Sequence, residues 1–251
     1  KDLDSLTPPS ELQSVGTREP LGKAFERYVG FWLRESPHFT LLAQNLQVSA
    51  TQTVGEFDFV FSDNDRMYHL EVACKFYLSK ENRTEWRQWV GPNGIDSLAE
   101  KMGTLQRQMD LSQHPAGKAA LQKIGIDKVE PIAMIKGYFF HHFSDIHRAN
   151  PPKGASSDYN SGWWVYEDEL SAFVSETASY LIIPKSEWLA NWHQPDHERI
   201  LHGARCIEVC LQQIERTNSA VALVQLIDED GFWVELSRGF VVRRRLFQRS
   251  S

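Results

Sequence analysis

Val54-Gly55-Glu56-Phe57-Asp58-Phe59-Val60-Phe61, then a short polar break, then Met67-Tyr68-His69-Leu70-Glu71-Val72-Ala73-Cys74-Lys75-Phe76-Tyr77, is the stretch on which the fold turns. Residue character alternates in both halves, which is the period-two signature of strands. Phe57, Phe59 and Phe61 are expected on one face, with Glu56 and Asp58 on the other. In the second half His69, Glu71, Ala73, Lys75 and Tyr77 share a face opposite Leu70, Val72, Cys74 and Phe76. Ser62-Asp63-Asn64-Asp65-Arg66 is turn chemistry, so the strands should form an antiparallel hairpin. Carboxylates gathered on one face repel, and such a cluster needs a cation or a shared proton. Oxygen donors beside a lysine suit magnesium, a hard cation that keeps several waters. Such an ion can activate water and stabilise a pentacovalent phosphate, while Lys75 orients the nucleophile.

Working outward, Pro20 opens a helix whose apolar stripe is Leu21, Phe25, Tyr28, Val29 and Trp32, running to about Leu33. A short second helix is expected around Phe39–Leu46. Gly91-Pro92-Asn93-Gly94 interrupts the chain before a helix from about Ile95 to Leu111, with a stripe of Leu98, Met102, Leu105 and Met109. Pro131 to about Phe140 reads as a strand, and residues 141–162 as a long polar loop. Next come a helix near Glu167–Val174, a strand near Tyr180–Ile183 and a helix from about Asp196 to Arg216. A hairpin of Val221–Ile227 and Phe232–Val242 closes the chain. The expected fold class is α/β, a mixed central β-sheet flanked by α-helices. Residues 1–17 would be a loose arm, 18–142 the core and 143–251 a C-terminal α/β elaboration.

The 251 residues carry 27 Lys and Arg against 33 Asp and Glu, a net charge of −6, with 41% hydrophobic and 24% charged residues. That profile excludes disordered, collagen-like and membrane-embedded classes, and a histone-like basic binder. No run approaches the roughly 20 apolar residues of a membrane span. Three cysteines, Cys74, Cys206 and Cys210, with no CxxC spacing, fit a reducing cytoplasmic setting without a structural zinc. The chain begins Lys1-Asp2-Leu3-Asp4 with no apolar signal core. His141, His142 and His147 read as surface residues, and Trp163-Trp164 as packing residues. Arg243-Arg244-Arg245 reads as a solvated basic cluster, with phosphate contact as the functional alternative.

The order of helix acid, strand acid, strand Glu with Lys, and helix Gln resembles the PD-(D/E)XK nuclease superfamily. More narrowly, several words resemble the bacterial domain of unknown function 1853 family. They are Leu21-Gly22-Lys23-Ala24-Phe25-Glu26, Gly55-Glu56-Phe57-Asp58-Phe59, His69 to Tyr77, and Gly91-Pro92-Asn93 with Asp96, Lys101 and Gln108. Gly162-Trp163-Trp164, Pro184-Lys185 with Trp188-Leu189, and Arg238-Gly239-Phe240-Val241-Val242 continue the likeness over most of the chain. The resemblance implies a restriction-endonuclease-like core and magnesium- or manganese-dependent phosphodiester hydrolysis of DNA. Asp58 and Glu71 would hold the metal, with Glu56 or Glu26 adjusting it. Lys75 would join Asp58, Glu71 and Glu26 in catalysis, while Gln108 and Lys101 would face substrate phosphates. The pattern departs at one point. Superfamily members space acid and lysine two residues apart, but Glu71 and Lys75 are four apart, roughly 13 Å along a strand instead of about 7 Å. A degenerate site serving as a nucleic-acid- or protein-binding module is therefore the alternative.

Overall fold

A computed structural model describes residues 19–80, 85–148, 150–192 and 197–247. The arm expected at residues 1–17 lies outside them. In chain order the elements are α1 (Leu21–Glu35), β1 (Phe39–Ser49), β2 (Thr53–Asp63), β3 (Arg66–Ser79), β4 (Trp89–Val90), α2 (Leu98–Met109), α3 (Pro115–Lys123) and β5 (Glu130–His142). There follow β6 (Ser161–Tyr166), α4 (Leu170–Phe173), β7 (Ser179–Ile183), β8 (Leu201–His202), α5 (Gly203–Thr217), β9 (Val221–Glu229), β10 (Phe232–Val242) and α6 (Arg244–Phe247). The fold is mixed α/β, and ten described strands form a mixed sheet. Among the described residues no helix is long and apolar enough to cross a membrane. The chain divides into two compact units, one of residues up to Cys74 with Lys101–Lys136, the other of Lys75–Glu100 with Gly137–Ser251.

In the first unit Pro20 caps α1 from outside, its carbonyl accepting from the Lys23 and Ala24 N–H groups. Leu21, Ala24, Val29, Gly30 and Leu33 form the buried stripe. A side chain at Gly30 would press on the Gln44 amide and the Phe59 ring, so glycine sets how closely α1 approaches β1 and β2. That packing also fixes Glu26, one turn earlier, over the sheet. Pro37 prevents continuation of the helix.

The hairpin of β2 and β3 forms as the sequence indicates, with pairing from Asp63↔Arg66 to Phe59↔Leu70 and a left-handed Asn64 (φ 53°) in its turn. The segment Phe39–Leu46, expected to be helical, is instead strand β1, antiparallel to β2. Two irregularities disguise it. The register shifts between Leu41 and Ala43, and Asn45 is left-handed at φ 53°. Phe39 and Leu41 consequently pack with Val29, Leu33, Phe59, Phe61 and Leu70. Ala43, Leu46 and Val48 pack with Phe57, Val60, Leu121 and Val129. Bulge and left-handed residue together convert a period of two into a spacing that imitates a helix.

The same irregularity corrects the expectation that Phe57, Phe59 and Phe61 share a face. Pairing passes from Gln44↔Phe59 to Leu46↔Phe57, and both strands change sides in that interval. Phe57 therefore joins the cluster that includes Ala120, while Phe59 and Phe61 join the α1 cluster. Asp58 occupies the point of exchange, opposite the left-handed Asn45. Helix α3 was not anticipated; Pro115 stands in its first turn and His114 Nδ1 accepts from the Ala116 N–H at 3.2 Å. Its Gly117 leaves room for the Leu111 carbonyl, which a Cβ would overlap.

In the second unit β6 is parallel to both β5 and β10, while β10–β9, β9–β7 and β7–β8 are antiparallel. Helix α5 buries Cys206, Cys210 and Ile214, four residues apart, against Trp163, Tyr180, Leu223 and Val241. The paired tryptophans are packing residues, as expected. Trp163 Nε1 donates to Ser237 Oγ at 3.0 Å and Trp164 Nε1 to the Ser79 carbonyl at 3.1 Å. The histidines are a correction: His141 is buried, and His142 Nε2 lies 2.8 Å from Glu169 Oε2; only His147 is exposed. In the arginine cluster Arg245 is exposed, as expected, while Arg243 and Arg244 are half-buried. Arg244 grips both oxygens of Asp168 and stacks over Tyr166, and Arg243 and Arg245 donate to Asn218 Oδ1.

Candidate functional site

Three elements of the first unit gather acids: Glu26 from α1, Asp58 from β2 and Glu71 from β3. Asp58 lies where the ladder with β3 gives out, and its Oδ2 accepts the Val72 N–H at 2.9 Å in place of a backbone carbonyl. Burial pushes the Asp58 carboxyl up to about 7; the charges of Glu71 and Glu26 add to the rise, against the Val72 N–H and the Lys23 ammonium. Glu26 and Glu71, both anticipated from sequence, thus act through their charge on a third, Asp58.

Glu26 is buried on α1 and holds two partners. Its Oε2 accepts from Lys23 Nζ at 2.7 Å and its Oε1 from Asn45 Nδ2 at 3.0 Å. Glu56 lies beyond this group. Its charge is felt by Lys23, whose ammonium is held above its ordinary range first by the hydrogen bond to Glu26.

Glu71 is 1% exposed, and His69, two residues earlier on the same strand face, is 0% exposed. His69 Nε2 and Glu71 Oε1 are 2.6 Å apart. The Phe57 ring stands edge-on to the imidazole, 4.5 Å between centroids. The other oxygen, Glu71 Oε2, and the other ring nitrogen, His69 Nδ1, are buried without a hydrogen-bond partner. His69 was not anticipated as a site residue. Its signal was the His-x-Glu spacing, which puts both side chains on one strand face.

Lys75, four residues beyond Glu71, belongs to the second unit, where its Nζ meets Asp96 Oδ2 at 2.6 Å. Asp96 is presented by the Gly91-Pro92-Asn93 turn. The Gly91 N–H donates to the Asp96 carbonyl at 2.8 Å, and a Cβ at Gly91 would overlap the Asp96 carboxylate. Asn93 Oδ1 in turn accepts the Ala220 N–H at 2.8 Å. Gln108 and Lys101 are half-buried on α2, and Gln108 Oε1 is another buried acceptor without a hydrogen-bond partner.

Among the described residues no three His, Cys, Asp or Glu side chains converge as a ligand set for a metal ion. A calcium or zinc cage would need such a set, whereas magnesium is held by one or two carboxylates with waters and substrate phosphates completing its shell. The hard oxygens of Asp58 and Glu71, one of them buried without a partner, fit that second pattern.

The family described as "Domain of unknown function (DUF1853)" matches residues 2–242. No curated protein and no solved structure matches the chain.

Proposed function

The chain belongs to the DUF1853 family, and from that premise we propose that it is a metal-dependent nuclease of the PD-(D/E)XK type acting on DNA. The observation that carries the reading is the enclosed acid group of the first unit. The Asp58 carboxyl is pushed up to about 7 by burial and by Glu71 and Glu26, beside a Glu71 oxygen that nothing satisfies. Acids so arranged are relieved by a hard cation.

Asp58 and Glu71 would hold magnesium or manganese, with Glu26 and Glu56 setting the surrounding charge. The bound ion would supply Lewis-acid stabilisation of phosphate charge and a more acidic water. The Val72 N–H fixes Asp58 so that its second oxygen remains available. Lys23 and Asn45 hold Glu26, keeping its charge directed at the group. Lys75 would orient the attacking water by its ammonium, and Gln108 and Lys101 would bind phosphate oxygens.

The Lys75–Asp96 ion pair and the four-residue step from Glu71 support a second reading, a nuclease-derived module that binds nucleic acid or protein without cleaving. Plasmid cleavage with millimolar magnesium or manganese separates the two. Wild type should nick DNA, and both Asp58→Ala and Lys75→Ala should lower the rate by at least about 100-fold, the order expected when a water-orienting or charge-stabilising group is lost. Equal rates in all three proteins would remove the assignment.

A further inference from the structure

We infer that His69 is a positioning residue for a divalent cation: through Nε2 it ties down one oxygen of Glu71 and turns the other, Oε2, into the ion's ligand. The inference rests on the metal-binding reading above and adds to it a residue outside the acid-and-lysine pattern.

Four features carry it. His69 and Glu71 lie two residues apart on β3, so one strand face presents both side chains. Their contact is 2.6 Å and neither is exposed by more than 1%, so water does not compete for the pair. A carboxylate that holds a cation is ionised and only accepts hydrogen bonds, so with the ion bound the proton in this contact sits on Nε2. Phe57 walls the imidazole at 4.5 Å, and Nδ1 has no acceptor in reach; the lone pair therefore belongs on Nδ1, because a buried N–H there would be unsatisfied.

The consequence is an oriented carboxylate. One oxygen is held by the imidazole, and rotation would break that bond where neither side chain is exposed by more than 1%. Oε2 retains its full acceptor capacity, and the Glu71 charge adds to the upward push on the Asp58 carboxyl. A buried acceptor without a partner costs free energy unless something fills its shell, and a cation at Oε2 would fill it. Outer residues that orient metal-ligating groups typically set the affinity, and losing one weakens binding by ~10–100-fold.

The test is manganese binding followed by calorimetry and by the electron paramagnetic resonance of the ion, on the full chain, with folding checked by circular dichroism. Wild type should bind. Asp58→Asn should abolish binding. His69→Phe keeps a ring of similar shape without a donor and should weaken binding ~10–100-fold. His69→Gln, whose Nε2 reaches the place of the imidazole Nε2, should recover affinity to within about threefold. Ring-nitrogen spectra of wild-type protein need no variant: among the nine histidines, magnesium should perturb His69 most, with Nε2 protonated and Nδ1 bare. Unchanged affinity in folded His69→Phe overturns the positioning role while leaving the metal site standing. Loss of affinity in folded His69→Gln, or a His69 ring indifferent to magnesium in a protein that binds it, does the same. Absence of manganese binding in wild type overturns the metal-binding reading, and this inference with it.

Discussion

At the scale of single residues, Asp58 links the local backbone to the pH dependence of the whole protein. Its carboxyl has an ordinary value of 3.8 and is held at about 7 in the fold, so between those values the folded state binds the extra proton. Stability contributed by this group is therefore present at acid pH and lost as pH rises through about 7. In buffer stripped of divalent ions, Asp58→Asn should remove that loss while retaining an acceptor for the Val72 N–H. The variant should match wild type near pH 4 and exceed it by about 1–2 kcal/mol at pH 8, after allowance for solvent screening. Urea midpoints at the two pH values measure it; a variant less stable than wild type at pH 8 would show that the ionised carboxylate is already compensated within the chain. Asp58 and Glu71 could be assigned to strands because alternation along a strand is a one-dimensional property, whereas Glu26 was singled out only by the family resemblance. His69 was not singled out, because the His-x-Glu spacing puts both side chains on one strand face without revealing that the pair is buried and in contact.

At the scale of elements, helices and strands with an uninterrupted period were readable: α1, the β2–β3 hairpin, β5, and the β9–β10 hairpin with its turn at Asp228–Gly231. Strand β1 was not, because the shift after Leu41 and the left-handed Asn45 erase its alternation. The same pair of irregularities moves Phe57 to the opposite side from Phe59. A local anomaly in one strand thus decided the surroundings of Asp58 on its neighbour, information that no window along β2 contains. Close strand approach makes a further prediction in the second unit. Gly137 of β5 has φ 142°, and a Cβ there would overlap the carbonyl of Lys75 on β3. Gly137→Ala should cost about 3 kcal/mol or more, through backbone strain and displacement of the Lys75 peptide. Thermal melts and soluble yield measure this; a melting point within about 2 °C of wild type would mean that β5 can shift freely.

At the scale of the whole molecule, neither unit is a continuous stretch of chain. The first takes in residues up to Cys74 and Lys101–Lys136, so Lys75–Glu100 is an excursion into the second. Composition shifts along a sequence do not reveal such an exchange, because the boundary after Cys74 falls inside one continuous strand, β3. The excursion supplies the Ser79 carbonyl for the Trp164 indole, and fully buried Trp89, whose ring meets Phe139 and His141. A fragment of residues 137–251 lacks these groups and should show no cooperative thermal transition by circular dichroism, while the full chain melts cooperatively. A fragment melting as sharply as the full chain would show that its own helix and strands suffice.

Among the described residues strand β1 stands at one end of the strand order, with a bulged register, a left-handed Asn45 and the polar Gln44 and Gln47 in its length. A straight terminal strand offers its unsatisfied peptide groups as a template on which another chain can grow. The kinks of β1 break that template at two places, so neighbouring molecules cannot zip together along it in concentrated solution or during refolding. The irregularity that places Asp58 opposite Asn45 thus also serves colloidal behaviour: one departure from regular geometry sets the surroundings of Asp58 and guards against fibre formation.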